Sequence, residues 1–374
     1  MKLLSALVLG TAVSSTVLAA RLPRDVTTRK FRIELAPGET RWVTEAEKWS
    51  LKKAGINFFD ITKETQKDVR PHSALKTVTY PTELQHVDAV KPLLGNLSTS
   101  SLESDLTQFT SYNNRYYDAD TGVQSANWLF EQANQIIDNS GAKGATLRKV
   151  THDFKQPSIV VTIPGQSDNT VVVGAHQDSI SGGASDPAPG ADDNGSGSIT
   201  ILEALRALLK STEVAEGKAA NTIEFHWYAG EEVGLLGSQD IFAEYKIQQK
   251  NVVAMLNQDM TGYVQGTLDA GKPESFGLVG DNVDKALTEF VKLVIDGYCD
   301  IGYVDTACGY ACSDHASAAR NGYPSAFVFE SDMNYSNPVI HSPNDTMEHV
   351  SIDHMLQHSK LVVGFLYELG FATF

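Results

Sequence analysis

Histidines and carboxylates recur in this chain directly after short β-branched runs. His176-Gln-Asp178 follows Val171–Ala175, Glu231-Glu232 follows Phe225–Ala229, Gln258-Asp259-Met260 follows Val252–Asn257, and His341 lies beyond Phe327–Phe329. A further acidic pair stands in the turn Pro189-Gly-Ala-Asp192-Asp193-Asn-Gly-Ser-Gly197. Taken singly, each has an ordinary explanation: a hydrogen-bonded histidine, an N-terminal helix cap, a solvated pair opening a helix. Gathered at neighbouring strand ends, so many acidic groups would repel one another and be poorly solvated unless a cation neutralised them. Two imidazoles with carboxylates suit zinc, and two ions about 3.5–4 Å apart need a carboxylate between them. Asp192, in a glycine-rich turn that lets the backbone approach closely, is the expected bridge. In an extended His-x-Asp the two side chains share a side, so Asp178 is placed to orient the imidazole of His176. Glu231 and Glu232 are adjacent and must point differently, which suggests one ligand and one general base.

Those residues need elements to carry them. Short β-branched runs at 159–163, 170–175, 222–229, 252–260, 275–279 and 325–330 predict strands. Helical spacing predicts helices at 82–94, 101–109, 122–139, 195–210, 233–248, 282–297 and 351–370. Alternation of the two implies an α/β fold with a mixed, largely parallel central sheet flanked by helices. In such sheets ligands gather outside the carboxyl ends of the strands, where the His and carboxylate pairs stand.

The chain has 374 residues, 42% of them apolar, and a formal charge of -16. That composition excludes disordered and fibrous classes, and the acidity disfavours nucleic-acid binding. The charge is unevenly spread. Residues 20–79 hold 13 cations against 8 anions, and residues 80–374 hold 16 against 38. The first 19 residues, with Lys2 followed by an apolar run and small residues at Val17 and Ala19, predict a secretory signal peptide rather than a membrane span. A basic 20–79 joined to an acidic 80–374 then suggests a propeptide that docks by charge complementarity, as inhibitor or chaperone, ahead of one catalytic domain. A small permanent N-terminal domain is the alternative. The protein is expected to be secreted, extracellular and monomeric, with no membrane and no nucleic-acid partner. Three cysteines allow one disulfide; Cys308 and Cys312 share a Gly-containing turn and are favoured, although Cys299 could pair instead. Sequons stand at Asn96, Asn194, Asn334 and Asn344, of which Asn96, away from the acidic motifs, is the expected glycan site.

Gly174-Ala-His176-Gln-Asp178-Ser, Pro189 to Gly197, Ala229-Gly-Glu231-Glu232-Val-Gly-Leu-Leu-Gly-Ser238, Asn257-Gln-Asp259-Met260 and Ile340-His341-Ser-Pro together resemble the co-catalytic dizinc aminopeptidases, in their secreted fungal leucine aminopeptidase branch. The likeness covers most of 80–374, in the family's motif order, and extends to the Cys308–Cys312 loop and the pre- and pro-region. It implies two zinc ions per monomer: one on His176 and Asp259, the other on Glu232 and His341, with Asp192 bridging. It also implies Glu231 as general base on a zinc-activated water, Asp178 as orienting carboxylate, Tyr310 as oxyanion partner, and peptides with a free N-terminus as substrates. Met260, Cys308, Tyr310, Phe329 and Ile340 are the expected apolar pocket for leucine-like side chains, whose burial is worth roughly 1.5–3 kcal/mol. A single-zinc glutaminyl cyclase and a carboxypeptidase are the competing enzyme readings. A non-catalytic binding module would have lost ligands, and all are present.

Overall fold

The computed structural model describes residues 29–64 and 75–374. The expected signal peptide and the remainder of the expected propeptide's first 55 residues, 20–28 and 65–74, lie outside the described residues.

The N-terminal segment forms β1 (Phe31–Ala36), β2 (Glu39–Val43), α1 (Glu45–Lys53) and β3 (Phe59–Asp60). The strands make a three-stranded antiparallel sheet in the order β2-β1-β3. Phe31, Ile33, Val43, Leu51 and Phe58 give this unit a small core of its own. Helix α1 opens on a capping box, in which Thr44 and Glu47 satisfy each other's backbone N–H groups.

The body then runs through α2 (Val87–Leu94), α3 (Thr99–Phe109), α4 (Asp120–Ser140), β4 (Thr146–Val150), β5 (Ser158–Ile163), β6 (Ser167–His176), α5 (Gly197–Leu208) and α6 (Thr212–Ala215). It continues with β7 (Asn221–Tyr228), α7 (Leu236–Ile247), β8 (Asn251–Gln258), α8 (Gln265–Asp269), β9 (Ser275–Val279) and α9 (Lys285–Tyr298). The last elements are β10 (Gly302–Thr306), α10 (His315–Arg320), β11 (Ser325–Phe329) and α11 (Ile352–Phe371). Eight strands form one mixed sheet in the order β10-β9-β11-β8-β6-β7-β5-β4. Its centre, β11-β8-β6-β7, is parallel, and antiparallel pairing enters at β9 and β5.

Alternation along β6 feeds both layers. Val171 and Val173 face one layer, where Phe225, Trp227 and Leu256 pack with Leu202 and Leu205 of α5 and Val362 and Phe365 of α11. Val172 faces the other, with Tyr228, Met255, Phe242 and Tyr245. A strand buried on both faces reads as a continuous apolar run, as 171–173 does. β6 is also where the crossovers change sides: α5 leads to β7 across one face and α7 to β8 across the other. The crevice at the carboxyl ends of β6, β7 and β8 is therefore the natural ligand site of this sheet. No helix among the described residues is long and apolar enough to cross a membrane.

Candidate metal centre

Five side chains meet in that crevice. His176 is the last residue of β6, Asp259 follows β8, Glu232 lies four residues past β7, and His341 comes from the loop after β11. Asp193 enters from the turn preceding α5. His176, Asp193 and Asp259 form one group of donors, and Asp193, Glu232 and His341 a second, with all donor atoms of each within 4.8 Å of one another. His176 Nε2 is 3.2 Å from both Asp193 Oδ1 and Asp259 Oδ1. His341 Nε2 is 2.9 Å from Asp193 Oδ2 and 3.0 Å from Glu232 Oε2. Asp193 is thus the shared carboxylate, one oxygen to each group.

This corrects the expectation for Asp192. Its side chain turns away from the crevice, where Oδ1 accepts the N–H of Gly262 and Oδ2 accepts the amide of Asn337, each at 3.0 Å. Glu330 lies against it and in turn accepts the N–H groups of Tyr263 and Asn337. Gly262 is required for that approach, because a Cβ there would sit 2.7 Å from Val350 and 3.0 Å from Asp192 Oδ1.

Asp178 lies with Oδ1 3.5 Å from His176 Nδ1, on the side of the ring away from the donors. Its oxygens also accept the backbone N–H groups of Glu231 (3.0 Å) and Glu232 (3.2 Å). One carboxylate therefore orients three functional residues. Ser313 Oγ donates to Asp259 Oδ2 at 2.5 Å. Ser313, directly after the Cys308–Cys312 loop, was not among the expected site residues.

The electrostatics call for cations. Asp178, Asp192, Asp193, Glu231, Glu232, Asp259, Asp314, Glu330 and Asp345 are all buried here, with Arg115 and Lys52 as the buried cations among them. Burial pushes the carboxyls of Glu231 and Glu232 above their ordinary range and lifts Asp314 to about 7. Burial disfavours charge on His176 and His341, yet Asp259, Glu232, Asp178 and Asp193 outweigh it and raise both imidazoles well above their ordinary value. Both Glu232 oxygens are buried without a well-aligned hydrogen bond. Imidazole and carboxylate donors with excess buried negative charge and unspent oxygens fit a pair of divalent ions such as zinc. A third grouping, Cys308, Cys312 and His315, offers no thiolate, because the two sulfurs form a disulfide as expected, with Cα atoms 5.9 Å apart.

The crevice opens into a cavity of about 570 Å³. Of the expected apolar pocket, Met260, Cys308, Phe329 and Ile340 line it, joined by Phe327 and Met333, which were not expected. Tyr310 does not line it. Its hydroxyl donates instead to Glu34 of β1 at 3.1 Å, and its ring packs edge-on against Phe59.

The N-terminal segment covers this mouth. Lys52 Nζ lies 3.0 and 3.2 Å from the oxygens of Glu231 and 3.8 Å from Glu232. Burial works against the ammonium, but Glu231, Glu232 and Asp193 hold its pKa well above the ordinary lysine value. Arg320 binds Glu34 at 2.6 Å and Glu64 at 3.1 Å. Phe59 and Ile61 pack on Leu235, Ala311 and Ala316. Among the sequons, Asn96 is exposed, whereas Asn194 is buried and holds Gly197, Gln258 and Met260 through its amide.

A model of peptidase family M28 matches residues 158–366. The chain is 57% identical over 374 residues to leucine aminopeptidase 1 of Arthroderma gypseum, covering 99% of this chain and all of that one. It is 56% identical over 383 residues to leucine aminopeptidase 1 of Ajellomyces capsulatus, covering both chains in full. Among solved structures, the LapA aminopeptidase of Legionella pneumophila superposes with a TM-score of 0.80 at 31% identity, covering 94% of this chain and 98% of that one.

Proposed function

The chain belongs to peptidase family M28 and is an aminopeptidase, and from that premise we propose that it is a secreted, leucine-preferring enzyme with two zinc ions, whose N-terminal 20–79 segment inhibits it until removed. The observation that carries the reading is the pair of three-donor groups sharing Asp193, with the carboxylate of Glu231 beside them and an apolar cavity in front. His176, Asp193 and Asp259 would hold one ion, and Asp193, Glu232 and His341 the other. Zinc fits the family, and two ions would polarise the scissile carbonyl and make water acidic enough to act as nucleophile near neutral pH.

The chain's own groups do the rest. Glu231 takes the proton from the attacking water and returns it to the departing amine. Its burial raises the carboxyl's proton affinity, which favours taking the proton from the water. Asp178 keeps Glu231 and Glu232 aimed by holding their N–H groups. The position of the Lys52 ammonium shows that an amine is accommodated against Glu231 and Glu232, which supports recognition of a free N-terminus there. Met260, Phe327, Phe329 and Ile340 would receive the side chain of the first residue. Tyr310 reaches the oxyanion once Glu34 no longer holds its hydroxyl.

The test is release of N-terminal leucine from a chromogenic amide by residues 80–374, with metal content measured in parallel. Two zinc ions per chain and loss of activity on chelation are expected. Glu231→Gln should lower kcat by about 10²–10⁴-fold, the usual worth of a general base, while zinc content is retained. Full activity in that variant excludes Glu231 as the base.

A further inference from the structure

The position of Asp193 between two groups of donors requires that its backbone be held, and two buried side chains from distant parts of the chain do so. Asp345 accepts the N–H of Asp192 on Oδ1 and the N–H of Asp193 on Oδ2, each at 3.0 Å. Its backbone carbonyl accepts the N–H of Ala191 at 3.1 Å. Three successive N–H groups of the turn therefore end on one residue. On the other side, the guanidinium of Arg115 donates to the carbonyls of Pro189, Gly190 (2.8 Å) and Gln177 (2.8 Å). Both residues are buried, Asp345 at 1% and Arg115 at 0% exposure. They spend their charges on backbone groups. Gly190, at φ +53°, is where the turn passes between them, and a Cβ there would lie 2.8 Å from the Arg115 guanidinium.

The two holders also reach the other donors. Gln177 adjoins His176, so Arg115 ties the end of β6 to the carbonyl side of the turn. Asp345 lies four residues after His341, so it ties that loop to the N–H side. Buried groups that hold a ligand's neighbours commonly set metal affinity as strongly as some ligands do.

We propose that Asp345 and Arg115 are positioning residues that clamp the 189–193 turn, so that Asp193 serves both halves of the metal centre. The proposal rests on the two-ion reading, and its consequence is specific: loosening the clamp weakens both ions together, whereas loss of His341 weakens one.

The experiment uses the full chain as wild type, Asp345→Asn, Arg115→Lys and His341→Ala. Asp345→Asn keeps the side-chain volume but replaces one acceptor with an NH₂ that opposes a backbone N–H. In metal-free protein, hydrogen exchange of the 190–196 amides should quicken at least tenfold in Asp345→Asn, with the rest of the sheet unchanged. In zinc titrations, both affinities should fall by about 10–100-fold in Asp345→Asn and in Arg115→Lys. Native zinc affinities, or weakening of one ion alone, overturn the proposal. If Asp345→Asn does not fold, Arg115→Lys carries the test. If neither folds while His341→Ala does, the pair serves stability alone and the proposal falls. A wild-type chain that binds fewer than two zinc ions refutes the two-ion reading instead, and the exchange measurement then decides the clamp by itself.

Discussion

The floor of the crevice and its cover are held by different kinds of contact. The floor is built from side chains at the ends of β6, β7 and β8, and its carboxylates are fixed by backbone N–H groups: Asp178 by Glu231 and Glu232, Asp345 by Asp192 and Asp193. The cover, formed by residues 29–64, meets the body mainly through side chains: ion pairs, one apolar patch, and Glu45 accepting from the hydroxyls of Tyr116 and Tyr117, with the N–H of Asp60 on the carbonyl of Gly234 as a backbone contact. Lys52 reaches Glu231, Arg320 reaches Glu34, and Phe59 and Ile61 lie on Leu235. Groups tied to the sheet stay when a covering segment leaves. On the propeptide reading, Tyr310, whose hydroxyl donates to Glu34 and whose ring meets Phe59, would lose those two contacts. On the proposed propeptide reading, the contrast is that of permanent machinery under a removable lock.

The hardest break falls on the floor. Asp193→Ala removes the only carboxylate shared by the two donor groups, so both ions should be lost and turnover should fall to background, measured as zinc content and kcat on a leucine amide. Asp192→Asn, one residue earlier, keeps a side chain able to accept from Gly262 and should retain zinc. Equal zinc loss in the two variants erases the distinction between the neighbours.

The next break is in the cover. Lys52→Ala in the full chain leaves the carboxylates of Glu231 and Glu232 facing the docked segment without their cation. Removing one partner of a buried pair costs about 3–5 kcal/mol, here charged to docking. Uncleaved Lys52→Ala should show at least roughly tenfold more activity than uncleaved wild type, since 1.4 kcal/mol is already that factor. Unchanged latency means that the lock is the apolar patch and not the ammonium.

How far these regions are legible in sequence differs for the same reason. Strand ends announce themselves: the β-branched run at 170–175, followed by His176 and Asp178, marks both the sheet and its functional edge, and all six expected strands begin and end within three residues of the observed ones. The strand expected at 252–260 overran by two residues, because Asp259 and Met260 belong to the site, Met260 at a left-handed φ of +59°. Asp192 and Asp193 were indistinguishable because each is an aspartate in one glycine-rich turn. What separates them is tertiary: Gly262, Asn337 and Asp345 lie 70 to 153 residues away in sequence. Edge strands β4 and β10 carry mixed polar sequences, TLRKV and GYVDT, half exposed and without the apolar run of the centre. The basic excess of 20–79 pointed to docking on an acidic body, but not to one lysine meeting one glutamate.

Acid should test the Tyr310 side of the cover. Burial opposes the charge on Glu34, but the N–H of Gly38, Arg320 and Tyr310 together hold its pKa below the ordinary glutamate value. A carboxyl depressed in the docked state favours docking above its free pKa of about 4.3, and that contribution is lost as pH falls through the lower docked value. Glu64 faces the same Arg320 with its pKa raised by burial, so its contribution has the opposite sign. Nicked enzyme should therefore shed its N-terminal segment more readily below about pH 4, measured by co-elution, and Glu34→Gln should abolish that step. An unaltered acid profile in Glu34→Gln assigns the effect elsewhere.

The smallest effect should be that of salt. Opposite net charges on 20–79 and 80–374 suggest docking that weakens steadily as ions are added. The contacts argue otherwise, because screening acts on exposed charges and much less on buried ones. Lys52–Glu231 and Arg320–Glu34 are buried on both sides. Lys63 differs: its side chain is 53% exposed and pairs with Asp153 and Asp240, 79% and 32% exposed. Pairs of that kind are worth about 0.2–1 kcal/mol each. Inhibition of 80–374 by added 20–79 should thus weaken only a few-fold between low and high salt, and Lys63→Ala should remove most of that dependence while leaving the inhibition itself in place. A steep salt dependence that survives Lys63→Ala would place the docking energy in long-range charge, and the comparison between a fixed floor and a side-chain lock would then need a third term, the field of the whole acidic body.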